Sequence, residues 1–266
     1  TEVVVPNYIG DIPVKAISGT GESGSIWDRS ICSWEPYASD AILVQKTIEK
    51  ITVPDGIESI GKSAFYETRN VEEIYLPESI KNIGESAFYN CNQLAKITIP
   101  SNVTYIEDET FFYCSSLSDI VIPTGVKNIG DNAFAGCSSL TKITIPSSVT
   151  YMGKSAFYGC SNLKDIEFLA NVTSIRSWTF CNCSNLTKIT IPSNVTNIEN
   201  SAFYGCNNLK NIEIPNSVTS ISYEAFSNIS PDAQIICDFA SKPSEWNSNW
   251  TDCTNIIWKR AQTEPT

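Results

Sequence analysis

Ten cysteines carry the most reactive side chains of this chain, and the sequence contains no histidine. Six of the ten recur at every twenty-third position: Cys91, Cys114, Cys137, Cys160, Cys183 and Cys206. A thiolate can act as a nucleophile, ligate a metal or form a disulfide. No Cys-x-x-Cys pair is present, and a straight column of thiols does not offer the tetrahedral arrangement that zinc requires. We therefore predict buried free thiols, no metal site and no cofactor.

The remaining cysteines are Cys32, Cys181, Cys237 and Cys253. Neighbouring members of the regular column would lie near the Cα separation of a disulfide, but parallel Cα–Cβ bonds on identical coils seldom give the torsion that a disulfide needs. Cys237 and Cys253 both lie near the C-terminus, and they are the one pair for which a disulfide stays an open alternative.

Carboxylates and lysines also repeat in columns rather than forming a singular pair. The residue before the first strand isoleucine alternates in sign through seven repeats: Lys50, Glu73, Lys96, Asp119, Lys142, Asp165 and Lys188. Opposite charges on adjacent strands attract, so we interpret this column as fixing the register rather than as a binding patch. Without histidine, the Ser-His-Asp and Cys-His arrangements are excluded. We predict a protein that is not an enzyme, with a glycosidase-like carboxylate pair as a remote alternative.

The element that must position all these columns is a repeat of fixed length, in which equivalent residues recur at every twenty-third position. It is marked by eight phenylalanines without an inserted residue: Phe65, Phe88, Phe111, Phe134, Phe157, Phe180, Phe203 and Phe226. A fixed period in the twenties is typical of a solenoid, in which each repeat buries its apolar face against its neighbours. The phenylalanines and the Ile, Val and Leu columns are expected to form one continuous core.

Each repeat reads as one coil of chain. Leu-x-x-Ile-x-Ile, as in residues 140–145, alternates β-branched residues and predicts a strand, which the following proline ends. Val-Thr-x-Ile-Gly, as in residues 126–130, predicts a second short extended piece. The remaining Ser-Ala-Phe-Tyr-Gly-Cys-Ser-Asn-Leu is predicted to form one or two helical turns. The fold class is therefore an α/β repeat solenoid of about nine coils.

The two ends depart from the repeat. Residues 1–53 read as an N-terminal capping repeat with an insertion that carries Trp27, Cys32, Trp34 and Tyr37, for which a binding loop is the alternative. Residues 54–226 are the regular repeats, and 227–266, with Trp246, Trp250 and Trp258, read as the C-terminal cap and tail. All three segments are predicted to form one solenoid domain.

Composition limits the partners. The net charge of −11 argues against nucleic acid, which requires clustered Lys and Arg. No apolar run approaches the length of a membrane span. The chain begins without Met and ends in a polar tail, from which we expect processing or truncation, so the sequence leaves the question of a signal peptide open.

The repeat Ile-Pro-Ser-x-Val-Thr-x-Ile-Gly-x-x-Ala-Phe-x-x-Cys-x-x-Leu-x-x-Ile, intact over 145–166 apart from Met152, resembles the leucine-rich repeat of the BspA-like surface proteins. The resemblance covers roughly residues 5–258 and includes the closing Lys-Pro-Ser-x-Trp and Ile-Ile-Trp segments. One coil departs from the pattern at Phe168, Leu169, Arg176, Trp178, Thr179 and Cys181.

The resemblance implies a right-handed leucine-rich-repeat superhelix with parallel strands on the concave face and short helical turns on the convex face. It also implies a cell-surface or extracellular protein that adheres to a host, matrix or cell-surface protein or glycoprotein. We expect a monomer. A structural spacer that displays another domain is the alternative.

Side chains that alternate away from the core on the first strand form the expected ligand-facing row: Tyr75, Thr98, Val121, Thr144, Glu167, Thr190 and Glu213. A second candidate is the residue after each core phenylalanine, represented by Tyr66, Tyr89, Phe112, Tyr158 and Tyr204, for which packing along the convex side is the alternative. Trp178, in the most deviant repeat, is a third.

Overall fold

The computed structural model describes residues 2–4, 8–9, 12–13, 16–17 and 48–259. The chain winds as a parallel β-solenoid in which each coil contributes a first strand, a second strand and a turn segment. The insertion aromatics between residues 18 and 39, together with Cys32, lie outside the described residues.

The first strands form a ladder on one side of the solenoid. They are β1 (Glu2–Val4), β5 (Lys50–Thr52), β7 (Glu73–Tyr75), β9 (Lys96–Ile97), β12 (Lys142–Ile145), β14 (Asp165–Phe168), β16 (Lys188–Thr190), β18 (Asn211–Ile214), β20 (Gln234–Cys237) and β21 (Ile256–Trp258). The second strands are β4 (Ala16–Ile17), β6 (Ser59–Ile60), β8 (Asn82–Ile83), β10 (Tyr105–Ile106), β11 (Asn128–Ile129), β13 (Tyr151–Met152), β15 (Ser174–Ile175), β17 (Asn197–Ile198) and β19 (Ser220–Ile221). A separate hairpin joins β2 (Tyr8–Ile9) and β3 (Ile12–Pro13).

Strand register follows the sequence period. Lys50 pairs with Glu73 and Glu73 pairs with Lys96, one full repeat further along the chain each time. The N-terminal β1 pairs in parallel with β5, and β4 pairs with β6. The parallel solenoid with one repeat per coil, as predicted from the sequence, is therefore confirmed, whereas its right-handed superhelix and the concave placement of the first strands stay predictions.

The first-strand ladder is not continuous. It runs as three sheets in the orders β1-β5-β7-β9, β12-β14 and β16-β18-β20-β21. Residues 119–122, between β9 and β12, belong to no strand, although Ile120 and Ile122 remain buried. The core is therefore continuous across an interruption of the main-chain pairing.

The core is a stack of phenylalanine rings. Consecutive members from Phe65 to Phe226 lie with ring centroids 4.9–5.6 Å apart and within 17° of parallel. Each ring is at most 1% exposed, so each contributes on the order of 2–3 kcal/mol through burial. The cap closes the stack, since Trp250 packs edge-on against Phe226 at 5.9 Å and Trp246 is buried beside it.

The turn segments differ from the prediction, because the described residues contain no helix. Each turn segment carries two residues with positive φ, four positions apart, such as Ser86 (φ 54°) and Asn90 (φ 54°). This left-handed conformation interrupts an α-helix. The intervening amides instead alternate between their own coil and the next one: Ala87 N donates to Gly84 O, whereas Phe88 N donates to Thr110 O at 2.9 Å. Hydrogen bonds between coils thus replace the predicted helical turns, and the fold is a β-solenoid rather than α/β.

Candidate functional site

The strand-face row, defined as Tyr75, Thr98, Val121, Thr144, Glu167, Thr190 and Glu213, lies on the outer surface of the first strands. All members are exposed except Thr144, which is half-buried. Tyr75 is 58% exposed although it carries a large aromatic ring, and Val121 is 71% exposed although its side chain is wholly apolar. The pairings of Thr144 with Glu167 and of Thr190 with Glu213 keep the row in register. The role of the row in binding stays a prediction.

The alternation of the strands produces this row. In β12, Ile143 is 1% and Ile145 is 0% exposed, so both face the core. The alternating residues Lys142 and Thr144 therefore point outward. Thr144 Oγ1 donates a hydrogen bond to Glu167 Oε2 at 3.0 Å, which ties two members of the row together across adjacent coils.

A charged column runs beside the strand-face row. Glu73 accepts from both neighbours, with Lys96 Nζ at 3.0 Å from Oε1 and Lys50 Nζ at 3.0 Å from Oε2. Hydrogen bonds and charge from Lys96 and then from Lys50 hold the pKa of Glu73 below its ordinary value. Because the alternating charges neutralise one another, this face is nearly neutral although the chain carries a net charge of −11.

A depression of about 490 Å³ opens on the same face at the interruption of the ladder between β9 and β12. Asp119, Val121, Lys142 and Thr144 line its mouth, and Pro146 contributes to its wall. It therefore brings two members of the strand-face row together with one charge of each sign.

Trp178 does not belong to this face. It lies in a turn segment, is 46% exposed, and lines a cleft of about 400 Å³ with Tyr113 and Tyr158. The candidate aromatics after each phenylalanine also lie on the turn side, where Tyr66 stacks on Tyr89 at 4.6 Å and Tyr89 on Phe112 at 4.8 Å. The candidate residues predicted from the sequence therefore lie on two separate surfaces, the strand-face row on the first strands and the aromatic residues on the turn side.

The column of six cysteines forms a hydrogen-bonded ladder of thiols. Each Sγ–H donates to the carbonyl of the core phenylalanine one coil earlier, as Cys137 does to Phe111 O at 3.2 Å. All six are fully buried free thiols, and burial raises the pKa of Cys91 and of Cys160 to about 12. Thiolates are the reactive form. These cysteines are therefore structural and unreactive near neutral pH.

Cys237 and Cys253 are free thiols as well. Burial raises the pKa of Cys237 to about 12, and Cys253 Sγ donates to Ala233 O at 3.4 Å. The disulfide that the sequence left open between them is not present.

Several exposed aromatic residues were not singled out by sequence reasoning. Tyr105 and Tyr151 occupy the outward position of second strands, where the other coils from β6 to β19 carry Ser or Asn. The Arg176 guanidinium lies 5.1 Å from the centre of the Tyr151 ring, a cation–π contact. These two residues could have been identified from the sequence, because each is an aromatic residue at a position where the repeat otherwise carries a small polar one.

The described residues hold no group of three or more His, Cys, Asp or Glu side chains that could bind a metal ion. Among the same residues, no helix is long and apolar enough to cross a membrane.

Parallel coils of one repeat each around a phenylalanine stack, with a leucine column and one exposed strand row, define this chain as a leucine-rich-repeat solenoid. The model of the BspA type leucine rich repeat region matches residues 39–160 and 127–241, in six copies. The chain belongs to this family. None of the curated proteins matches it.

Solved structures show the same architecture. A leucine-rich repeat protein from Bacteroides ovatus is 29% identical over 79% of this chain, with a TM-score of 0.71, and the match spans 63% of that protein. The T. pallidum leucine rich repeat protein TpLRR is 28% identical over 68% of this chain and 76% of its own, with a TM-score of 0.50. A leucine-rich repeat protein from Eubacterium ventriosum, 23% identical over 86% of this chain and 67% of its own, has a TM-score of 0.52 and supports the fold alone.

Proposed function

We propose that this chain is a non-enzymatic recognition module that mediates adhesion or protein–protein recognition at the cell surface or outside the cell. The observation that carries the proposal is the strand-face row, a regular line of outward-facing side chains on parallel strands. In leucine-rich-repeat proteins the stacking of coils produces extended surfaces of this kind, which such proteins use for binding. Its partner is a host, matrix or cell-surface protein or glycoprotein, and the module acts as a monomer.

The dimensions of the row suit a protein partner. Seven coils at the strand spacing of about 4.8 Å extend over roughly 30 Å, which allows several contacts to one surface. Tyr75 has the chemistry of an interface anchor, since exposed tyrosines offer a large apolar ring and a polar hydroxyl. In the flanking column Glu73 pairs with Lys50 and Lys96, and the charges alternate in sign along it, so specificity would come from the side chains of the row rather than from net charge.

The chemistry of the thiols supports a role without catalysis. The six column thiols are fully buried and protonated near neutral pH, so none is available as a nucleophile. Two carboxylates of the strand face are engaged, since Glu73 pairs with Lys50 and Lys96 and Glu167 accepts a hydrogen bond from Thr144.

Binding to a panel of immobilised extracellular-matrix and mucosal glycoproteins tests the proposal. The test variant carries Tyr75→Ala, Thr144→Arg and Glu167→Lys on the strand face. The matched control carries Tyr105→Ala, Thr150→Arg and Glu107→Lys, the same three changes at exposed positions away from that face. Loss of one anchor tyrosine alone costs about 2 kcal/mol at a hot spot, which is about 30-fold in Kd.

We expect saturable binding that weakens at least 30-fold in the strand-face variant and is kept by the control. Equal loss in both variants would contradict the use of this face. Binding to no member of the panel would favour a structural spacer that displays another domain.

A further inference from the structure

The aromatic column on the turn side is interrupted at Ala135, Cys181 and Ser227. The residue after each core phenylalanine is Tyr66, Tyr89, Phe112, Ala135, Tyr158, Cys181, Tyr204 and Ser227 in successive coils. The first three rings stack at 4.6–4.8 Å. Ala135 removes a ring between two aromatic coils, and the cleft of about 400 Å³ opens at this gap, with Ala135 and Gly136 in its lining.

Aromatic rings form the walls of this cleft. Tyr113 packs edge-on against Phe112 at 4.6 Å and leans over Gly136, where a Cβ would lie 2.7 Å from Tyr113 Cδ1. Tyr158 and Trp178 also line the cleft, and the Tyr158 hydroxyl accepts a hydrogen bond from Asn182 Nδ2 at 3.3 Å. Tyr113, Tyr158 and Trp178 are 51%, 40% and 46% exposed, so a large part of each side chain is accessible.

Two of these aromatic residues adopt an unfavourable backbone conformation. Tyr113 has φ 54° and Trp178 has φ 59°, in the left-handed region that bulky residues rarely adopt. The other coils place Glu67, Asn90, Gly136, Gly159, Asn182, Gly205 and Asn228 at the column of Tyr113, and Ser63, Ser86, Glu109, Asn132, Ser155, Ser201 and Glu224 at the column of Trp178. Left-handed conformations in residues that do not suit them cluster at ligand sites. Both exceptions meet at the same cleft.

The polar groups of the cleft are neutral. Asn132 and Ser155 line it, and none of the described residues in its lining is charged. Among the described residues, neither the Asn132 amide nor the Ser155 hydroxyl has a hydrogen-bonding partner, whereas Ser86 in the same column donates to Glu109 at 3.1 Å. An amide and a hydroxyl both donate and accept, so they complement a neutral ligand that carries hydroxyls.

We propose that this turn-face cleft binds a pyranose ring of a neutral glycan. The electron-rich faces of aromatic rings attract the C–H face of a sugar, and the hydroxyl rim of the sugar reaches Asn132 and Ser155. The volume of the cleft lies at the small end of ligand pockets and suits one or two sugar rings. The neutral lining of the described cleft disfavours a sialylated or sulfated residue at this position. The inference is independent of the strand-face row and would add a second binding surface.

A multivalent array of neutral and acidic glycans tests the inference with the full chain, because single sugars bind weakly and display raises their avidity. Trp178→Ser and Tyr113→Asn remove the walls with residues that neighbouring coils carry at the same columns. Ala135→Tyr fills the gap and continues the aromatic column from Phe112 to Tyr158. Tyr105→Ala, an exposed tyrosine away from the cleft, is the control. Circular dichroism and urea unfolding verify the fold of each variant.

We expect binding to neutral glycans that falls at least tenfold in all three cleft variants and is unchanged in Tyr105→Ala. Absence of binding to every neutral glycan would overturn the inference. So would binding that survives Ala135→Tyr in a folded protein, or a cleft that takes a proline-rich peptide and no sugar. The strand-face variant, which leaves the cleft intact, should keep its glycan binding, so the two proposals fail separately.

Discussion

The buried thiol ladder predicts an unusually steep loss of stability at alkaline pH. In the folded protein, burial raises the pKa of all six column cysteines, and that of Cys91 and Cys160 reaches about 12. In the unfolded chain a thiol titrates near 8.5. Below that value both states hold the same protons and the contribution is constant. Above it the unfolded state loses at least six protons that the folded state keeps, because burial also raises the pKa of Cys181 and Cys237, so the free energy of unfolding falls.

The magnitude follows from the count of thiols. Each retained proton changes the free energy of unfolding by about 1.4 kcal/mol per pH unit, so six change it by about 8 kcal/mol per pH unit. A folded domain is stable by only about 5–15 kcal/mol. We therefore expect cooperative unfolding to begin between about pH 9 and pH 10.5, in a window that ends where the folded thiols titrate.

Urea unfolding at a series of pH values, under reducing conditions, measures this slope. Cys137→Ser is the matched variant, because it keeps a hydroxyl donor toward Phe111 O and removes one titrating group. Its slope should be shallower by one proton, whatever its cost at neutral pH. A wild-type slope of two protons or fewer, or fast reaction of these thiols with a thiol reagent in the folded protein, would refute the buried ladder.

Three further predictions concern the core, the turns and the strand-face charges. Phe134→Ala should lower the free energy of unfolding by about 3–5 kcal/mol and Phe134→Leu by less than half of that, measured by urea titration; equal small losses would contradict the stacked core. Trp178→Ser should change stability by no more than about 1 kcal/mol, because relief of its left-handed backbone offsets the lost packing, whereas Trp250→Ser in the buried cap should cost about 3–5 kcal/mol; a similar loss from both would argue against the strain. Lys96→Met should raise the pKa of Glu73, measured by NMR titration. Because the lowered pKa of Glu73 stabilises the fold above about pH 4.3 and this stabilisation is lost on acidification, the variant should also weaken it. The control Lys142→Met should leave the pKa of Glu73 unchanged.

The repeat period made most of the fold predictable. Once Phe65 and its seven equivalents define a coil, the pairing of Lys50 with Glu73 and of Glu73 with Lys96 follows by counting, because parallel neighbours repeat in register. The exposure of Thr98 and Glu167 follows from alternation in the strand.

The turn segments were not predictable in the same way. The sequence around Phe88 allows a short helix if one coil is considered alone, but Phe88 N donates to Thr110 O in the next coil. That hydrogen bond, like the left-handed φ of Ser86 and Asn90, exists only when coils stack. Secondary structure in these segments is therefore set by contacts with the neighbouring coil rather than by the local sequence.

The two candidate sites differ in the same way in how far the sequence predicts them. The strand-face row follows from a pattern within one repeat, so the sequence identifies it. The turn-face cleft requires Tyr113, Asn132 and Trp178 from three different coils around Ala135, and only their stacking brings them together. The sequence identified Trp178 as a deviation and Phe112 and Tyr158 as members of the aromatic column, but it did not identify Tyr113, Asn132 or Ser155.

Hydrogen–deuterium exchange of the chain bound to its protein partner tests the central claim, that recognition takes place on the first strands. We expect added protection in the strand segments that carry Thr98, Thr144, Glu167 and Thr190, with the turn segments around Phe88 and Phe134 unchanged. Protection confined to the turn segments or to the second strands, in a complex of measured stoichiometry, would contradict the claim.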